Sequence, residues 1–138
     1  MKLPKYKCKI VRDGSCSIKC NDSESANEIF SYLMKDLPHE EMWAIYVNNK
    51  NNVYAVEMIA RGGLTGLSVT TKEVFRGAII SGAYGIILGH NHPSGDCMPS
   101  PEDIYFTRHI MAASKIIDIE FLDHLVIGLN NNFKSCMV

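Results

Sequence analysis

The run Tyr84-Gly85-Ile86-Ile87-Leu88 is apolar on consecutive positions. Neighbouring strand residues point to opposite faces, so a strand of this kind is buried on both sides and belongs in the centre of a sheet. The rest of the chain supplies the partners. Residues 42–47 (MWAIYV) and 53–59 read as strands joined by the polar turn Asn48-Asn49-Lys50-Asn51-Asn52. Residues 120–128 (EFLDHLVIG) read as another strand, Phe133 opens a short terminal one, and residues 6–11 read as an edge strand before an Asp13-Gly14 turn.

Elsewhere the apolar step changes to three and four. Ala26, Ile29, Phe30, Leu33, Met34 and Leu37 make one stripe across residues 21–37, which Pro38 ends. Ser25 with Glu28 offers a capping box, with Asp22 and Ser23 as other caps. After a loop marked by Gly62, Gly63 and Gly66, Thr70 and Glu73 open a second helix. Its inner face carries Val74, Phe75, Ala78 and Ile79, and Gly82 suits its end. Ser100 followed by Pro101 starts a third helix that runs to about Lys115. The expected product is one α/β domain (α+β, mixed sheet) over residues 1–138, three helices around the sheet, without repeats or linkers.

Composition excludes several classes. A chain of 138 residues holds a core without staples. Fourteen basic and 15 acidic residues leave a net charge of -1, so no bulk positive field attracts a nucleic-acid backbone. No apolar run approaches a membrane span, and MKLPKYKCKI lacks the apolar middle of a secretory signal. The five cysteines (Cys8, Cys16, Cys20, Cys97, Cys136) are an odd set without zinc-knuckle spacing, which suits reduced thiols and a cytoplasmic location.

The chemistry gathers after the central strand. His90 and His92 lie two apart in an extended segment, so both imidazoles project to one side and can share a cation. Asp103 falls in the first turn of the third helix, where a glycine-containing loop can fold it back over the strand end. Two imidazoles, one carboxylate and an open fourth position are the donor set of a catalytic zinc site, though Mn, Fe and Co are not excluded. Asp103 equally suits the reciprocal acid of a capping box with Ser100. Both roles need the same place in the helix.

The run HNHPSGDCMPSPED resembles the JAMM motif of JAB/MPN-domain metalloproteases: His, any residue, His, seven residues, Ser, two residues, Asp, filled by His90, His92, Ser100 and Asp103. HNHPSG, the following PSPED and LDHLVIG at 122–128 are similar to the RadC branch. So are the segment from Glu40 through the asparagine turn and the glycine loop leading into KEVFRGAI, so the resemblance covers about residues 23–128. It implies a single MPN/JAB-like domain with cytidine-deaminase-like layering and a zinc-dependent hydrolase cleaving amide or isopeptide bonds of a peptide or protein. One Zn(II) would be held by His90, His92 and Asp103. Glu40 would be the general base and then acid, with Glu41 its rival. The two point to opposite faces, so only one can serve. Ser100 would stabilise the oxyanion. The branch also carries a DNA-repair label.

Other readings stay open at this level: a non-catalytic MPN scaffold, or a metal-dependent phosphodiesterase acting on nucleic acid, which the near-neutral charge disfavours. The adjacent letters HNH are not the dispersed site of HNH nucleases, and no PCxxC supports a cytidine deaminase. RadC-like chains often read VHPRE where this one has Val69-Thr70-Thr71-Lys72-Glu73, which alters whatever that histidine and arginine do. No N-terminal helix-hairpin-helix region is expected within the 138 residues. Asp123-His124 serves either to orient a ligand histidine or as a local polar contact. Cys97 stands near the expected metal, where it could tune access, oxidise or ligate adventitiously. His39 and His109 are expected to face solvent, Met42 and Trp43 the core.

Overall fold

The strand with two apolar faces does occupy the middle of a sheet. The computed structural model describes residues 1–7, 17–62 and 68–137. Among these the order is α1 (Ser23–Met34), β1 (Glu41–Val47), β2 (Val53–Arg61), α2 (Thr71–Ser81), β3 (Gly85–Asn91), α3 (Pro101–Ile117), β4 (Glu120–Ile127) and β5 (Phe133–Ser135). The five strands align as β2-β1-β3-β4-β5. The sheet is mixed: β3 and β4 are parallel, while β1 pairs antiparallel with β2 and β3, and β4 with β5. Most of the expected strand at 6–11, and the Asp13-Gly14 turn, lie outside the described residues. No helix among the described residues is long and apolar enough to cross a membrane.

Strand parity divides the core into two layers. Met42, Ala44 and Tyr46 of β1 and Ile86 and Leu88 of β3 pack with Val74, Phe75 and Ala78 of α2 and Ile110 of α3. Ile45 and Val47, with Ile87 and Leu125, pack with Ala26, Phe30 and Met34 of α1. Gly89 admits this second layer, because a Cβ there would stand 2.6 Å from the Phe30 ring.

Each helix starts at a reciprocal capping box. Asp22 with Ser25, Thr70 with Glu73, and Ser100 with Asp103 each exchange side-chain-to-backbone bonds. Asp22 therefore caps α1, and Glu28 is not the partner of Ser25. Gly82 closes α2 at φ 69°, a left-handed turn that glycine adopts without strain.

Two expectations need correction. Tyr84 lies before β3 and is 49% exposed, since its carbonyl and N–H join Glu120 and Val47 at the sheet's end without burying the ring. Ile79 is 60% exposed: Val74, Phe75 and Ala78 complete the inner stripe of α2, and the next residue turns outward by one helical step of about 100°.

Candidate metal centre

β3 and β4 are parallel, so the chain must cross over through α3, whose N-terminus begins just beyond the carboxyl end of β3. This brings the first turn of α3 over the histidines. His90 Nε2 lies 3.2 Å from Asp103 Oδ1, His92 Nε2 lies 3.2 Å from Asp103 Oδ2, and the two Nε2 atoms are 3.2 Å apart. His90 is 1% exposed, and the side chains of His92 and Asp103 are partly buried.

Asp103 faces the imidazoles and closes the capping box at the same time. Its Oδ2 accepts the Ser100 N–H at 2.8 Å, and Ser100 Oγ accepts the Asp103 N–H at 3.0 Å. The capping box thus holds the carboxylate in the orientation that faces the imidazoles. Ser100 Oγ spends a lone pair in this bond and keeps its proton to donate.

The neighbouring strand brings a second acid. Met42 of β1 pairs with His90, so continuing the antiparallel register backwards sets Glu40 opposite His92 on the same face. A carboxylate oxygen of Glu40 and ring nitrogens of His90 and His92 all lie within 4.8 Å of one another. Asp103 is the nearer acid and Glu40 stands back from the pair.

Glu41 is turned to the other face and fully engaged. It is 5% exposed. Its Oε1 accepts Trp43 Nε1–H at 2.9 Å, and its Oε2 meets His39 Nε2 at 2.7 Å and Arg61 Nε at 3.4 Å. Burial raises its carboxyl, and these three contacts bring it below the usual carboxylate range. His39 is therefore a partner of Glu41 rather than a solvent-facing residue, whereas His109 is exposed. Met42 is core, and Trp43 packs partly buried against the α1 layer.

Sequence reasoning passed over Asn91, the middle letter of HNH. It is 5% exposed and faces the α1 side. Its Oδ1 accepts the Glu41 N–H at 2.8 Å and its Nδ2 donates to the His39 carbonyl at 2.9 Å. It therefore ties the backbone on both sides of Glu40 to the strand carrying the histidines, while the Glu40 carbonyl accepts Gly62 N–H at 2.8 Å.

Asp123 and His124 separate into two roles. Asp123 accepts from Ser23 Oγ (2.9 Å), His124 N (2.8 Å) and Ser135 Oγ (2.6 Å), which joins α1, β4 and β5 away from the centre. His124 is 0% exposed, and its Nε2 lies 2.8 Å from His90 Nδ1. Its burial, and then His90 beside it, push its ring well below the usual imidazole range. Cys97, half-buried, stands beside Gly128 and is not part of the donor cluster.

The imidazoles and the carboxylate shift one another's protonation. The Asp103 carboxylate raises His92 against the opposing effect of burial, with the Asp96 carbonyl and Glu40 acting in the same direction. Burial pushes the Asp103 carboxyl up, but its contacts with the His90 and His92 rings outweigh this and hold it well below the carboxylate range. His92 Nδ1 lies 3.0 Å from the Asp96 carbonyl, which can only accept, so this nitrogen carries a proton and a neutral His92 offers a bare Nε2 lone pair. Donors about 2.05 Å from a tetrahedral zinc sit about 3.3 Å from one another. The 3.2 Å between His90 Nε2 and His92 Nε2 is close to that edge, as is the 3.2 Å from each of them to its own oxygen of the Asp103 carboxylate.

The sequence as a whole is similar to known proteins. A model of the RadC-like JAB domain matches residues 20–137. The chain belongs to the RadC-like JAB domain family. UPF0758 proteins are among its relatives. That of Flavobacterium johnsoniae is 40% identical over 109 residues, 79% of this chain and 48% of the relative. That of Desulforudis audaxviator is 40% identical over 124 residues, 90% and 54% respectively, and that of Methanococcoides burtonii 41% over 107, 75% and 47%. The chain spans about half the length of the curated relatives it matches. Three helices and a five-stranded mixed sheet accord with a RadC-like JAB fold, and membership supports a JAMM-type metal-dependent hydrolase at the level of the family.

Proposed function

We propose that this chain is a zinc-dependent hydrolase of the JAMM type that cleaves an amide or isopeptide bond in a peptide or protein substrate. The observation carrying this reading is the pair His90 Nε2 and His92 Nε2, 3.2 Å apart, facing one carboxylate, that of Asp103, whose Oδ1 lies 3.2 Å from the first and whose Oδ2 lies 3.2 Å from the second, with the Glu40 carboxylate alongside. His90, His92 and Asp103 would hold the ion, and the mixed imidazole and carboxylate set favours Zn(II) over harder cations. When bound, such an ion polarises a carbonyl and lowers the pKa of water at its open position.

The protein's own groups do the rest. A span of up to 4.8 Å between Glu40 and the imidazole nitrogens fits a water held by two hydrogen bonds of about 2.8 Å. Glu40 takes a proton from that attacking water and returns it to the departing nitrogen, which breaks the C–N bond. Ser100, anchored as the cap of α3, donates its hydroxyl proton to the oxygen where negative charge develops. A groove of about 740 Å³ opens beside His92, between Tyr32 of α1, Lys35 just past its end, and the turn at Leu129 and Asn131. Its size is that of ligand clefts, and we assign it to the substrate segment flanking the cleaved bond. Free thiols at Cys20, Cys97 and Cys136 suit a reducing compartment, where we place the activity.

The test is an assay of the purified protein on peptide and isopeptide-linked substrates, with a parallel arm on single- and double-stranded DNA. Amide cleavage that a chelator abolishes and zinc restores supports the reading. Cleavage of DNA alone assigns phosphodiester chemistry instead, and zinc uptake without any cleavage favours a scaffold.

A further inference from the structure

Behind His90 runs a chain of short polar contacts that ends on a backbone carbonyl. Thr107 Oγ1 donates to the Asp103 carbonyl at 2.7 Å and lies 2.7 Å from His124 Nδ1. His124 Nε2 in turn lies 2.8 Å from His90 Nδ1. Thr107 and His90 are 1% exposed and His124 0%, so the chain is shielded from bulk solvent.

The polarity of this chain follows from counting protons. A carbonyl only accepts, so the single hydroxyl proton of Thr107 goes to Asp103. The hydroxyl oxygen can then only accept from His124, which places the His124 proton on Nδ1. A neutral His124 is left with a bare Nε2, which must accept from His90 Nδ1–H. His90 then has a bare Nε2, directed at His92 and Asp103. The opposite polarity would put the His90 proton on Nε2, toward the Asp103 carboxylate. That contact, at 3.2 Å, is long for a charge-assisted hydrogen bond of about 2.7–2.9 Å, whereas every link of the chain is short. The Cys136 thiol beside Thr107, pushed up to about 12 chiefly by burial, stays protonated and offers no strong acceptor that would draw the hydroxyl away.

We propose that Thr107 and His124 are positioning residues that fix the His90 proton on Nδ1 and so keep its Nε2 lone pair available to a cation, an inference that rests on His90 being a metal ligand. Outer partners of this kind change metal affinity without touching the ion.

Two measurements decide it. In metal-free protein near pH 8, nitrogen-15 NMR of the imidazoles should show His90 mainly as the Nδ1–H tautomer. Thr107→Val, which keeps the shape and removes the hydroxyl, should lower that population. Zinc titration against a chromophoric chelator should show Thr107→Val binding about 10–100-fold more weakly than wild type, with Thr107→Ser within about twofold. A wild-type His90 protonated on Nε2, or a Thr107→Val protein with unchanged tautomer and unchanged zinc affinity, overturns the proposal. If wild type takes up no zinc, the metal reading of the site fails by itself, and the metal-free spectra still decide the relay.

Discussion

Two polar clusters flank the carboxyl end of β3, one on each face of the sheet, and they differ in how their hydrogen-bonding capacity is spent. On the α1 face, Asn91 and Glu41 have every polar side-chain atom engaged: Asn91 clamps two backbone groups and Glu41 answers Trp43, His39 and Arg61. On the α3 face, two imidazole nitrogens 3.2 Å apart each face one oxygen of the Asp103 carboxylate at 3.2 Å, and Glu40 stands beside them. A cluster whose polar atoms are all engaged fixes geometry, because removing one member leaves its partners unpaired. A converging cluster of lone pairs has capacity left for something positive. The one-residue alternation of the strand separates the two, so adjacent residues, Glu40 and Glu41, fall into opposite categories.

Substitutions at this pair break the comparison most directly. Glu40→Gln should lower turnover of a cleaved amide substrate by about 10²–10⁴-fold. It should also leave stability within about 0.5 kcal/mol, as urea unfolding would report. Equal activity in Glu40→Gln would remove it as the proton carrier. The contrary pattern is expected at Glu41. Glu41→Ala strips the partly buried Trp43 N–H of its acceptor and should cost about 1–3 kcal/mol in the same unfolding experiment. A Glu41→Ala protein as stable as wild type would show that the α1-face cluster is not a scaffold.

The smallest of these effects sharpens the other face through pH. Because Asp103 raises His92, protons compete with a metal from above the ordinary imidazole value of about 6.5 downward. Asp103 is held low and stays ionised through this range, so it adds no competition. Apparent zinc affinity should therefore fall by about tenfold per pH unit on acidification below the His92 value, for each proton displaced. An affinity that stays flat between about pH 8 and 5 would mean that the imidazoles do not bind the ion.

Much of this was readable from the sequence, for identifiable reasons. The two-sided apolar run placed β3 in the centre, and the Ser-Pro start of α3 with Asp103 three residues on located its first turn. Parity alone put Glu40 and Glu41 on opposite faces, but not which face holds the site; that needed the β1–β3 register pairing Met42 with His90. Thr107 lies one helical turn after Asp103, on the buried side of α3 with Ile110, and a polar residue in an apolar stripe is the signal that could have found it. The partner of that threonine comes from β4, a strand 13 residues beyond it in sequence at Glu120, so only the parallel pairing discloses the contact. His39 gave no such signal, because its partner Glu41 is two residues away in a segment that alternates faces only once β1 has begun.

The convergence of His90, His92 and Asp103 on one cation is most directly tested by diffraction from zinc-loaded crystals at wavelengths on either side of the zinc absorption edge. A single anomalous peak about 2.0–2.2 Å from His90 Nε2, His92 Nε2 and an Asp103 carboxylate oxygen is the predicted result. A zinc peak elsewhere, or none between these three side chains at saturating zinc, would contradict it.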